Sequence, residues 1–294
     1  LHNLFTRFGL SGRAIYPMLI AFGCNVPAVL SSRSAIDHVE RLEIIMNVSF
    51  IPCQARLIVL LAFTSIIFRN STLLQALAIV IVYIIGMLLY LLMSKLSRIL
   101  LFREKENPEL LLEIPPIHRP SIRVMLWNSW DLTKHFLYKA GIIILLLSIG
   151  VWILLNFGPY GYVHKDISIS YGASIGRLIA PLFSSLFKID VDAAWKLGLT
   201  LIAGFIAKEG LISILAVMTG VEEVGRAIEL LRLSPLQGFS VLLLFMFYIP
   251  CAATIVNIYN ETRNYRFTTL IPIYLFVMAL LISTATYIVT SMFT

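Results

Sequence analysis

Apolar residues in this chain run together in blocks of about twenty, the length that crosses a bilayer as one helix. The blocks predict seven candidate spans: Ala14–Leu30, Leu42–Phe68, Thr72–Met93, Ala140–Asn156, Trp195–Met218, Gly238–Tyr259 and Thr268–Thr290. Two of them are interrupted where a membrane helix should be regular. Gly23-Cys24-Asn25-Val26-Pro27 breaks the first block, and Pro52-Cys53-Gln54-Ala55-Arg56 breaks the second near its middle. A third break, Tyr248-Ile249-Pro250-Cys251, lies far downstream. Proline has no N–H and strands the carbonyl one turn back, which lipid cannot satisfy. Each break is therefore expected to face protein or water, as in a pore or carrier site.

The polar connections set the expected orientation. Ser94 to Lys139 is the densest basic segment, with Lys95, Arg98, Arg103, Lys105, Arg119, Arg123, Lys134 and Lys139, and is expected on the cytoplasmic side. Counting spans from it places residue 1 outside and Thr294 inside. An outside start without a signal peptide suggests a further span upstream of Leu1, so the chain reads as a piece of a longer polypeptide. Ser121 to Lys139 carries apolar residues on one face and basic ones on the other, and is expected to lie at the headgroup layer and lead into the next span. Within Phe157 to Ala194, SYGASIGRLIAPLFSSLF is apolar but short and contains a proline, which suits a re-entrant segment.

Phe50-Ile51-Pro52-Cys53 aligns with Tyr248-Ile249-Pro250-Cys251, and more weakly Ala21–Asn25 aligns with Gly204–Lys208. Spans one to three and five to seven thus read as two copies of one unit, and the span count makes them parallel. The expectation is an all-α, polytopic transmembrane helical bundle with proline-broken helices and a parallel internal repeat. Its parts would be residues 1–93, a first gate unit lacking its first helix; 94–139, a cytoplasmic connection with an interfacial helix; and 140–294, a second gate unit with a C-terminal helix.

Composition agrees: 59% of residues are hydrophobic and 13% charged, too apolar for a soluble domain of 294 residues. The net charge of +7 lies in the connections between apolar blocks, so it argues for membrane orientation and against nucleic acid. Three cysteines beside helix breaks do not make a secreted disulfide framework. The chain has no phosphate loop, no Ser-His-Asp pattern and no His-Glu-x-x-His run, so it is not expected to be an enzyme.

The candidate chemistry sits at the breaks. Cys24, Cys53 and Cys251 offer soft sulfur suited to Fe(II), Zn or Cu(I), or else serve as small apolar packing residues. Arg56, Lys208 and Glu209 are charges inside apolar blocks, where charge is costly. Glu209 is a candidate ligand or proton acceptor, with Arg56 or Lys208 as counter-ion; the alternative is an ion pair that fixes packing. Asn25, Gln54 and Thr254 add oxygen donors or patch the broken backbone, which Pro27, Pro52 and Pro250 create. Met46 and Met246 suit packing better than ligation, and His2, His38, His118, His135 and His164 lie in connections or at ends.

These segments resemble the membrane domain of the ferrous iron transporter B (FeoB) family. GCNVPAVLSSR followed by ERLEIIMNVSFIPCQARL is similar to its first gate motif, and IPCAATI with the stretch Glu261 to Arg263 to its second. LLLEIPPIHRPSI, SYGASIGRLIAPLF and GFIAKEGLISIL follow in family order. The resemblance implies Fe(II) as transported ion, crossing a prokaryotic cytoplasmic (inner) membrane with Cys24, Cys53 and Cys251 along its path and Glu209 nearby, and no tightly bound cofactor. It also implies a GTP-binding domain, upstream on the same polypeptide or as a separate chain, a small cytoplasmic accessory protein, and a homo-oligomer in the lipid bilayer. Gate architectures also serve nucleoside-like solutes and other metals, and a non-transporting membrane subunit that docks a GTPase fits the same residues.

Overall fold

The computed structural model describes residues 5–69, 71–102, 121–159, 161–163, 167–206, 208, 210–219 and 228–292. The described residues are all-α apart from a two-residue pairing of β1 (Phe157–Gly158) with β2 (Gly161–Tyr162). Among the described residues, four segments are long and apolar enough to cross a membrane: His38–Ile67, Thr72–Leu100, Pro235–Thr262 and Tyr265–Ser291.

The first apolar block is not a span. It folds into α1 (Ile15–Ala21) and α2 (Asn25–Ser31), seven residues and about 10 Å each. The single turns at their outer ends, Gly12–Ala14 and Ser32–Ser34, touch, so the pair is a hairpin whose tip is Phe22-Gly23-Cys24. The fifth block does the same. In α8 (Val191–Ile206) and α9 (Gly210–Thr219), a Cβ placed on Gly204 would stand 2.4 Å from Leu211, seven residues on. A straight helix would hold those positions about 10 Å apart. Both hairpins reach partway and return to the side they entered.

The second and sixth blocks are broken helices, as the prolines require. α3 (His38–Asn47) ends in a tight turn, Val48–Phe50; the chain is extended at Ile51 and Cys53, and α4 (Gln54–Ile67) resumes. α10 (Pro235–Phe247) gives way to extended Tyr248 and Cys251 before α11 (Ala252–Thr262). A residue that precedes proline is pushed out of the helical region, so neither helix can run on through its Ile-Pro pair. α5 (Thr72–Ser97) and α12 (Tyr265–Ser291) follow as unbroken spans.

The copies run in opposite directions, which corrects the parallel repeat. Arg41, at the start of the first broken helix, is paired with Glu261 at the end of the second. Arg69, just past the end of the first, is paired with Glu229 just before the second. α4 accordingly packs on α10, and α2 on α11. The physical reason is parity: Trp195–Met218 is a hairpin and contributes no crossing, so one fewer crossing separates the two copies. The same correction moves the ends. Gly9 lies against Arg98, so the first described residues share the face of Arg98 rather than lying opposite it. The far end of α12 lies on the Arg69 face, where Tyr287 packs on Phe187 and Gln237 donates to the carbonyls of Phe187 and Lys188, both at 3.0 Å. Thr294 itself lies outside the described residues.

α6 (Ile122–Asn156) runs without a break from the basic connection into the fourth block. α7 (Tyr171–Phe187) covers the short apolar segment with its proline, Pro181, inside the helix, and lies antiparallel against α8. A Cβ on Gly176 would stand 2.6 Å from the carbonyl oxygen of Trp195, so only glycine permits this approach. The molecule centres on α10, whose residues Val241 to Phe247 are all buried, with Phe63 of α4 edge-on to Phe245 at 5.8 Å. A helix apolar on every side belongs inside a bundle.

Candidate functional site

Both hairpin tips and both helix breaks meet around one cavity of 340 Å³. The first hairpin contributes Gly23, Cys24, Asn25 and Val26; the first break, Cys53, Gln54, Ala55, Arg56 and Ile58; the second hairpin, Ile206 and Lys208; and the second break, Cys251, Ala253 and Thr254. All three cysteines line it, and no disulfide joins them. Each has the same local role: Cys24, Cys53 and Cys251 are the N-cap residues of α2, α4 and α11, extended in backbone and without a side-chain cap. Val26 and Ala253 pack together with Cys24 and Cys251 against them. The Cys251 Sγ lies 3.1 Å from the Thr254 Oγ1.

The breaks leave backbone carbonyls without helical partners, and two buried cations meet them. Arg56 is fully buried and donates to the Ser49 carbonyl at 2.5 Å and to the Tyr248 carbonyl at 3.4 Å, so one guanidinium spans both breaks. Lys208, 2% exposed, donates to the Ile249 carbonyl at 2.6 Å, with its Nζ 3.3 Å from the Tyr248 ring centroid. The first hairpin is tied in by the Gln54 amide, which donates to the Gly23 carbonyl at 3.2 Å. Polar capacity remains: Asn25 Oδ1 and Arg56 Nε are buried with no hydrogen-bond partner among the described residues. Three helix N-termini and two cations thus surround the cavity, a field that favours negative charge.

Of the other expected residues, Pro52 and Pro250 are buried at the breaks, whereas Pro27 is exposed in the first turn of α2 and stands off the cavity. Glu209 lies outside the described residues, so the described partners of Arg56 and Lys208 are carbonyls. Met46 and Met246 are buried in the core away from the cavity. His38 is exposed at the start of α3; His2, His118, His164 and the His135 side chain lie outside what is described. Among the described residues, no three His, Cys, Asp or Glu side chains form a group that could hold a metal ion.

Sequence reasoning missed the polar face of α3. Glu40 is buried and accepts from the backbone amides of Ser11 at 2.6 Å and Ile36 at 2.9 Å. Buried Glu43 takes Arg98 at 2.9 and 3.1 Å, and buried Asn47 accepts from the Tyr274 hydroxyl at 3.0 Å. The spacing of three and four residues puts all of them on one side of the helix, and that was the available signal. Glu261 stands out in the sequence only as part of a polar stretch. Its side chain is 1% exposed and holds Arg33 at 2.6 Å and Arg41 at 2.5 Å. The hydrogen bond to Glu261 holds the Arg33 guanidinium above its ordinary pKa.

This assembly defines a class: an α-helical membrane protein in which two oppositely directed units, each a helical hairpin followed by a proline-broken helix, enclose one cavity. Two families match the chain, "Gate: Nucleoside recognition" over residues 137–265 and "Ferrous iron transport protein B C terminus" over residues 79–131. Proteins named Fe(2+) transporter FeoB are similar over most of it. The one from Staphylococcus aureus (strain COL) is 31% identical, covering 99% of this chain and 43% of the relative. That from Methanocaldococcus jannaschii is 34% identical, covering 88% and 39%, and that from Helicobacter pylori 26%, covering 95% and 48%. The chain is a relative of the FeoB proteins and spans less than half of their length. No solved structure matches it.

Proposed function

We propose that this chain is a permease domain for ferrous iron uptake across the cytoplasmic membrane of a prokaryote, with Fe(II) passing through the cavity between the two breaks. The observation that carries this reading is the placement of all three cysteines on one cavity, each at the N-terminus of a half-helix. A bare cation entering the cavity meets positive helix ends, Arg56 and Lys208. Thiolate sulfur reverses that local charge, and thiolate is the form of cysteine that binds metal. Fe(II) exchanges part of its water shell for sulfur and for the Asn25 oxygen, and binding displaces the thiol protons. A transported ion must be held weakly enough to leave. Cys24, Cys53, Cys251 and Glu209 are the proposed ion path; Asn25, Pro27, Pro52, Gln54, Arg56, Lys208, Pro250 and Thr254 support it.

The arginines of the Glu261 cluster, with Lys95, Arg98, Arg263 and Arg266, put the basic excess on the Arg98 face, which we take as cytoplasmic. There the segment 94–139 would receive a GTP-binding domain, on the same polypeptide or separate, and a small accessory protein; a homo-oligomer is part of the same proposal. The test is radioiron uptake by the complete transporter in proteoliposomes. Replacing Cys24, Cys53 and Cys251 together by serine is expected to lower uptake at least tenfold, and unchanged uptake would exclude sulfur ligation.

A second reading has its own support. The gate match carries the description "Nucleoside recognition", and two buried cations suit a polar organic solute better than a metal ion. Uptake competed by nucleosides but not by Fe(II) would establish it instead.

A further inference from the structure

A second, larger recess of 750 Å³ opens on the flank of the downstream unit. Leu182 of α7, Phe205 of α8 and Phe276 of α12 form its walls, and Tyr248 and Ile249 of the second break form its floor. Its depth follows from that floor: the break lies midway along a span, so the recess opens at hydrocarbon depth. Water has no partners there, and an apolar void in the membrane loses dispersion contacts unless a chain fills it. One end is polar. Thr269 lines the recess in the first turns of α12, and Arg266, three residues earlier, shares its helical face. Arg263 occupies the turn just before, in a left-handed conformation (φ 51°) that ends α11. Arg263 and Arg266 are exposed, and among the described residues neither is paired with a carboxylate. Tyr265 beside them is 66% exposed, in the manner of a side chain at the lipid–water boundary.

We propose that this recess is a binding site for one anionic phospholipid, with an acyl chain along the floor and the phosphate on Arg263 and Arg266. The floor meets the cysteine cavity through Lys208, which lines that cavity. The Ile249 carbonyl and the Tyr248 ring hold Lys208 from the other side, and the Tyr248 hydroxyl donates to the Leu201 carbonyl at 3.2 Å. An acyl chain in the recess therefore backs the residues that fix the second break. The site does not depend on what the cavity carries.

The test places a fluorophore in the recess. The full chain, with its four native tryptophans replaced by phenylalanine, carries Phe205→Trp and is reconstituted into nanodiscs containing lipid brominated on its acyl chains. Half-maximal quenching is expected at about tenfold less brominated phosphatidylglycerol than brominated phosphatidylcholine, given two arginines near the headgroup. Arg263→Gln with Arg266→Gln should abolish that preference and leave the melting temperature unchanged. Should Phe205→Trp fail to fold, Ile202→Trp, which also lines the recess, reads the same contact. Equal quenching by the two lipids overturns the proposal. So does the absence of quenching together with energy transfer from a second labelled copy, which would make the recess a self-association surface.

Discussion

At the scale of single residues, the cavity is organised by cations that answer carbonyls. Arg56 and Lys208 were legible from the sequence because they interrupt apolar blocks. Their partners were not, because a carbonyl freed by proline leaves no mark in a string of letters. Arg56→Met should leave the Ser49 and Tyr248 carbonyls buried and unpaired, at a cost of about 2–4 kcal/mol, while Arg56→Lys, reaching one of them, should lose about half as much. Thermal unfolding in detergent measures both. The Glu261 cluster makes a finer prediction. Arg33 is 67% exposed and Arg41 30%, so solvent screens the first pair more strongly. Arg41→Gln is expected to lower the melting temperature measurably, by about 1 kcal/mol of stability, and Arg33→Gln by clearly less. Glu43 went unnoticed for a different reason: at the edge of an apolar block, a carboxylate that will be buried against Arg98 looks the same as one in water.

At the scale of elements, the helix breaks could be read and the hairpins could not. Ile-Pro-Cys dictates an extended residue before each proline and so fixes the break at Ile51 and at Ile249. An apolar run from Ala14 to Leu30 has the length of a span whether the chain crosses or turns back, and periodicity does not separate the two. The turn at Gly23-Cys24 was visible in the sequence as an interruption within a helix. Its meaning depended on the partners waiting at mid-depth, above all the first break, whose Gln54 amide binds the Gly23 carbonyl. That break rests in turn on α5. A Cβ on Gly86 would stand 2.8 Å from both the Phe50 carbonyl oxygen and the Pro52 Cδ. Gly86→Ala is expected to cost about 1–3 kcal/mol by overpacking, and Gly86→Val to displace the break and lower uptake even where the protein still folds. Parallel measurements of unfolding and radioiron flux separate the two effects.

At the scale of the molecule, the fold class followed from composition and block length, while the relation between the halves did not. A count of crossings carries its error forward, and one hairpin taken for a span reverses everything after it. Accessibility from the two sides tests the outcome. Arg69 follows the end of the first broken helix and Arg263 caps the end of the second. In a background with Cys24, Cys53 and Cys251 changed to serine, Arg69→Cys and Arg263→Cys should react with a membrane-impermeant maleimide from opposite faces of sealed vesicles. Labelling from the same face would restore the parallel arrangement.

Oppositely directed copies also constrain how such a chain is inserted. A unit that sits both ways up within one chain does not take its orientation from its apolar pattern, which is the same in either sense. The orientation has to come from somewhere, and the arginines gathered around Glu261 supply it: they tether the beginning of one half and the end of the other to the same leaflet. Moving those positive charges to the far loops would be expected to yield inside-out molecules with an intact core.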